Sequence, residues 1–161
     1  MDVATLATAP AVTCQPTTAI AQVARLMAEH EVGWVIVVDG DGRLAGIVTD
    51  RDIALRGFAR GLDPGAAVAT IMSHDVVGVP EQSGWEAAAN QLAAWAHRRL
   101  PVVDDDGVVR GVMTVDDLLL HCTSILERMT TAVRSEVRPG RQGIADHEHQ
   151  IANGHQPDRR P

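Results

Sequence analysis

Gly46-Ile47-Val48-Thr49-Asp50-Arg51-Asp52 recurs 65 residues later as Gly111-Val112-Met113-Thr114-Val115-Asp116-Asp117, with glycine, threonine and aspartate at the same offsets. The match extends outward without a gap, from Val3–Leu55 onto Val68–Leu120, and 15 of these 53 positions are identical. Val3-Ala4-Thr5-Leu6 aligns with Val68-Ala69-Thr70-Ile71, and Val37-Val38-Asp39 with Val102-Val103-Asp104. A period of 65 is longer than those of the common solenoids, and two copies are too few for one. The repeat predicts a pseudo-twofold pair, each copy having one apolar face that it cannot bury alone.

Each copy has the pattern β-α-β-β-α. In the first, Val12–Cys14 is a short strand. Ala19–His30 is a helix whose Ile20, Val23, Ala24, Met27 and Ala28 share one face. Trp34–Val38 is an unbroken apolar, mostly β-branched run, hence a buried strand. Asp39-Gly40-Asp41-Gly42 is a turn, Leu44–Val48 the return strand, and a helix runs from Thr49 to about Arg60. In the second copy the strands are Val76–Val79, Leu100–Val103 and Val108–Met113. The helices are Trp85–Ala96 and one starting near Thr114 that continues to about Val137. The expected fold is thus mixed α/β (α+β), with repeats at 1–62 and 68–126 and a linker at 63–67. A helical extension and a polar, disordered C-terminal tail fill 127–161.

Where the third strand of each copy meets the second helix, a hydroxyl and a carboxylate stand three residues apart, so Thr49 and Asp52 share a helix face, as do Thr114 and Asp117. A helix N-terminus attracts phosphate through its unpaired N–H groups. A carboxylate repels phosphate, so Asp52 and Asp117 suit a neutral donor pair such as the vicinal hydroxyls of a ribose. The competing reading is a capping box, in which the threonine caps the first turn and the aspartate reaches back. The two roles are compatible, because an empty site can cap itself.

The duplicated Gly-x-x-Thr-x-x-Asp stretches, the Leu100-Pro101-Val102-Val103-Asp104 strand and their spacing make each copy similar to a cystathionine-β-synthase (CBS) domain. Residues 1–125 resemble a tandem CBS pair, or Bateman module, of the kind found in small stand-alone actinobacterial proteins, some induced by hypoxia or stress. The resemblance implies a non-catalytic regulatory module that binds AMP, ADP or ATP, and less often S-adenosylmethionine or NAD, between the repeats. It also implies a homodimer and an unidentified regulated protein. Carried over by position, Asp52 and Asp117 hold ribose hydroxyls, with Thr49 and Thr114 beside them. Val12, Val35, Val77 and Leu100 line the adenine, and Arg98 and Arg99 meet phosphate. The first copy departs from the pattern with Ile36 in place of Pro101 and Trp34 in place of Arg99. Pocket filling is the preferred role for Trp34, which leaves the first site closed and the second usable. A ligand-free dimeric interaction scaffold is the alternative function.

Composition narrows the remaining classes. The 161 residues carry a net charge of −7, no lysine and 2% aromatics. That argues against nucleic acid bound by bulk charge or by stacking. No apolar run reaches the roughly 20 residues needed to cross a bilayer. Met1-Asp2-Val3 lacks a signal peptide's basic flank, so a cytoplasmic location is expected. No P-loop, nucleophile elbow or His-Glu-x-x-His stands in the sequence, which predicts no enzyme. Cys14 and Cys122 are too few for a disulfide framework and are expected as buried free thiols. His147, His149 and His155 of the tail could take a transition metal only adventitiously, and no metal site is expected. Arg138, Arg141, Arg159 and Arg160 are the tail's only candidate nucleic-acid contacts.

Overall fold

A computed structural model describes residues 1–95 and 98–137. The tail histidines and arginines from Arg138 onward lie outside the described residues. The chain divides into one unit, Met1–Leu120, and a second beginning at His121. The first holds α1 (Val3–Leu6), β1 (Thr13–Cys14), α2 (Ile20–Glu29), β2 (Trp34–Val38) and β3 (Leu44–Thr49), then α3 (Asp50–Asp52), β4 (Val79–Pro80), α4 (Trp85–Trp95), β5 (Arg99–Val103) and β6 (Val109–Thr114). Helix α5 (Val115–Val137) starts in the first unit, and its part from His121 onward is what is described of the second.

The fold is mixed α+β, with two three-stranded sheets of order β1-β2-β3 and β4-β5-β6. In each, the first strand runs parallel and the third antiparallel to the middle one. The registers repeat at the 65-residue offset: Cys14 opposes Val37, and Val79 opposes Val102. A bulge interrupts both hairpins, between Val37 and Val38 and between Val102 and Val103. Both turns are built alike. Asp39 Oδ1 accepts from the N–H groups of Asp41 and Arg43, as Asp104 Oδ1 does from those of Asp106 and Val108. Donation from Val108, with help from Arg110, holds the Asp104 carboxyl below the usual carboxylate range. Gly42 and Gly107, both at φ +80°, complete these turns.

Strand alternation sorts the side chains. Val35 and Val37 of β2 join Val23 and Met27 of α2 in the first core, while Leu100 and Val102 of β5 join Ala88 and Leu92 of α4 in the second. Trp34 and Ile36 face the other way and meet Val112 of the second repeat in a third cluster. The pseudo-twofold relation appears in the backbone as paired bridges. Ile47 and Ser73 exchange hydrogen bonds of 3.0 and 2.8 Å, and Val112 and Thr8 exchange bonds of 3.0 and 2.9 Å. The two turns themselves meet through Leu44 N–H to Gly107 O and Val109 N–H to Gly42 O.

These bridges reveal an exchange of leading segments. Val3, in the segment that opens the first repeat, lies in the second core. Val68, Ile71 and Met72, which open the second repeat, lie in the first core. The expected elements are otherwise present, with three differences. Strand β4 is displaced to Val79–Pro80, because Val76 lines a cleft instead of pairing in the sheet. The helix expected from Thr49 to Arg60 is one α-turn, then a π-helical turn (Ile53–Gly57) and a 3₁₀ turn (Phe58–Arg60), stopped by Gly61 at φ +67°. The sequence reading also passed over α1 and its counterpart, a 3₁₀ turn at Val68–Thr70.

Candidate functional site

The return strand β3 delivers Thr49 to the start of α3, where it caps the helix. Its side chain accepts from Asp52 N–H at 3.2 Å, and Asp52 Oδ2 accepts from Thr49 N–H at 2.9 Å and Thr49 Oγ1 at 2.7 Å. This is a complete capping box. Strand β6 does the same for α5. Asp117 Oδ2 accepts from Thr114 N–H and Thr114 Oγ1, both at 2.7 Å, and Thr114 Oγ1 accepts from Asp117 N–H at 3.2 Å. The capping reading therefore holds in both copies.

Around Asp52 the surroundings go beyond a cap. Thr49 and Asp52 line a cleft of about 150 Å³ together with Ile47, Ser73, Val76, Arg98 and Arg99. Each repeat contributes: the first brings Thr49 and Asp52 on β3 and α3, the second brings Arg98 and Arg99 where the chain enters β5. Arg98 is exposed and Arg99 half-buried, while the Asp52 side chain is 15% exposed. Arg56, from the π-helical turn, places Nε 3.4 Å from Asp52 Oδ1. Its other end donates to Ile71 O at 3.0 Å and to Ser73 Oγ at 3.3 Å.

Of the expected site residues, the structure brings Thr49, Asp52, Arg98 and Arg99 together. It does not bring Val35 and Leu100 to the cleft: Val35 is fully buried in the first core and Leu100 nearly so in the second. Both occupy the face of their strand that looks at a helix, so the cleft's apolar walls are Ile47 and Val76 instead. Val12 packs against the first core, and Val77, next to Val76, is exposed. Sequence reasoning missed Ser73 and Arg56; the signal for Ser73 was the repeat offset, which matches it to Thr8.

The counterparts of Ile47, Ser73 and Val76 are Val112, Thr8 and Ala11, while those of Arg98 and Arg99 are Gly33 and Trp34. Trp34 is buried in one apolar cluster with Val112 and Ala11. It fills space, as expected, but it does not close the cleft at Asp52. The tryptophan stands at the position matching Arg99, opposite Thr49 in the register of β2 with β3. Trp34 is not among the residues lining the cleft at Asp52, which differs from the expectation that it closes the first site.

Both cysteines are free, and burial pushes the Cys14 thiol up to about 11 against a lowering contribution from the Thr18 hydroxyl. Among the described residues no group of three His, Cys, Asp or Glu side chains could hold a metal ion. Nor is any described helix long and apolar enough to cross a membrane.

Comparison with known proteins gives the same frame. A family model described as the CBS domain matches residues 3–56 and 68–123. The CBS domain-containing protein YhcV of Bacillus subtilis is 38% identical over 109 residues, spanning 68% of this chain and 76% of that protein. Hypoxic response protein 1 of Mycobacterium tuberculosis is 35% identical over 99 residues, spanning 61% of this chain and 68% of that protein. A Methanopyrus kandleri protein, 34% identical over 109 residues, is longer, and the match spans 56% of it. Among solved structures, a CBS domain protein of Pyrobaculum aerophilum complexed with AMP superposes with a TM-score of 0.70 at 27% identity, covering 81% of this chain and 99% of that one. A CBS domain pair in complex with 5-methylthioadenosine and S-adenosylmethionine gives 0.69 at 25% identity, covering 77% and 97%. A Hypoxic Response Protein I with two coordinated zinc ions gives 0.69 at 26%, covering 75% and 98%. With two matched repeats, one pseudo-twofold fold and relatives in several prokaryotes, this chain belongs to the CBS domain family.

Proposed function

We propose that the chain is a non-catalytic regulatory module that binds one adenine nucleotide in the cleft between its repeats. The observation that carries this reading is the meeting of Thr49 and Asp52 from the first repeat with Arg98 and Arg99 from the second. In this assignment Asp52 takes the ribose hydroxyls, the arginines take phosphate through charge-assisted hydrogen bonds, and Ile47 and Val76 pack on the apolar part. The cleft is smaller than the roughly 300 Å³ at the low end of ligand pockets. It holds the ribose-phosphate portion, and the rest of the ligand reaches the rim. AMP and S-adenosylmethionine in related structures support an adenosyl ligand. Two guanidinium groups favour a phosphate over a sulfonium, which ranks AMP, ADP and ATP above S-adenosylmethionine. Gly33 and Trp34 in the arginine positions leave the Thr114–Asp117 side without the phosphate contacts.

Binding would act on a partner protein by favouring one arrangement of the two repeats. The homodimer and the cytoplasmic location belong to the same proposal; exposed Leu55, Phe58 and Leu120 suit a protein contact. A thermal-shift screen with AMP, ADP, ATP, NAD and S-adenosylmethionine tests the ligand class. A rise in melting temperature with the phosphorylated adenosines is expected, and no response at millimolar concentration overturns it.

One observation favours a second reading, a ligand-free interaction scaffold: both Asp52 oxygens are already engaged within the chain. Capture of a single partner with equal affinity in the presence and absence of AMP would select it.

A further inference from the structure

Arg56 reaches into the surroundings of the cleft from a segment that the motif reading does not cover. It sits in the π-helical turn after Asp52, a local geometry frequent at functional sites. Its side chain spans two things. One is the Asp52 carboxylate, at 3.4 Å from Nε to Oδ1. The other is the segment that crosses between the repeats, where it donates to Ile71 O and Ser73 Oγ. Ser73 lines the cleft and is bridged to Ile47, so the guanidinium is fixed to a wall of the cleft. The counterpart of Arg56 at the 65-residue offset is His121.

A carboxylate in a cleft meant for phosphate is an electrostatic problem. Its charge opposes the ligand's, and at 15% exposure it is only partly screened by water. Arg56 answers that problem from behind, on the Asp52 oxygen that the cap leaves over. We propose that Arg56 is a positioning residue that neutralises Asp52 and ties it to the crossing segment, so that a cleft containing a carboxylate accepts an anionic ligand. This rests on the nucleotide reading of the cleft and adds which residue makes the anion tolerable.

The consequence is a charge dependence that a merely structural residue would not produce. Replacing Arg56 by alanine leaves Asp52 as an uncompensated anion, so the loss of affinity grows with the ligand's negative charge. Titration of adenosine, AMP and ATP into the wild type, Arg56→Ala, Arg56→Lys and Asp52→Ala measures it, with a melt of each variant to establish that it is folded. For Arg56→Ala the expected result is adenosine binding within about twofold of wild type, AMP about tenfold weaker and ATP weaker still. Arg56→Lys restores the charge and returns AMP to within about threefold. Equal losses for adenosine and ATP, or no loss for either, overturn the role of Arg56 while leaving the cleft intact, provided Asp52→Ala has lost AMP. Should the wild type bind none of the three ligands, the nucleotide reading and this inference fall together.

Discussion

At the residue scale, the same side chain serves the fold and the cleft. Asp52 completes a capping box and also lines the cleft that Arg98 and Arg99 line. Asp117 makes the same cap with Thr114, which provides an internal control. Asp52→Ala and Asp117→Ala are each expected to lower the free energy of unfolding by about 1 kcal/mol in urea denaturation, the ordinary cost of a lost cap. A much larger cost for Asp52 alone would mean that its contact with Arg56 is structural first. Cys14 gives a pH prediction. Its folded pKa is raised from 9.0 to about 11 by burial, so the folded state holds the thiol proton more tightly than the unfolded chain does. Its contribution is complete below pH 9 and is lost as pH rises from 9 toward 11. Urea midpoints should fall across that window in the wild type and fall less in Cys14→Ala; identical slopes would contradict the assignment. The Thr–Asp pairs were legible in the sequence because a cap is local. The buried direction of Val35 and Leu100 was not. It depends on which strand face meets a helix, and a continuous apolar run carries no alternation to reveal that.

At the scale of elements, the sheets hold together where a strand edge meets the other repeat's leading segment. Gly46 and Gly111 lie at those crossings. A Cβ on Gly46 would stand 2.6 Å from Ser73 O, and one on Gly111 2.8 Å from Thr8 O. Both contacts are with backbone that is itself hydrogen-bonded, so neither can yield cheaply. Gly46→Ala and Gly111→Ala are each expected to cost about 2 kcal/mol of stability. Gly40→Ala, with nothing within 4 Å of its Cβ, should change stability by less than about 0.5 kcal/mol. Denaturation curves of the three variants check this, and a harmless Gly46→Ala would show that the crossing is slack. Strands β2 and β5 and helix α2 were readable from their apolar patterns. The break-up of the helix after Asp52 was not: Gly57 is buried, and a Cβ there would lie 4.0 Å from both Ile20 Cδ1 and Ile71 Cδ1. That is long-range packing, to which local propensity is blind.

For the whole molecule, the exchange of leading segments makes the repeats interdependent. Val3 belongs to the second core and Val68 to the first. Removing residues 1–8 should strip hydrogen-exchange protection from Leu100, Val102 and Met113 while leaving Val35, Val37 and Val48 better protected. Equal loss in both cores would mean that the repeats unfold only as one. The 65-residue offset exposed the duplication directly, but not which copy's opening turn docks on which sheet. That choice is made by tertiary contacts, and it is also what places Ser73 in the cleft. The central claim is that one composite cleft, and not two, is built for an adenine nucleotide. Calorimetric titration of AMP into the wild type, Asp52→Ala and Asp117→Ala tests it most directly. One AMP per chain is predicted, weakened more than about tenfold by Asp52→Ala and less than about twofold by Asp117→Ala. Two AMP per chain, equal losses in both variants, or no heat at millimolar AMP would contradict it.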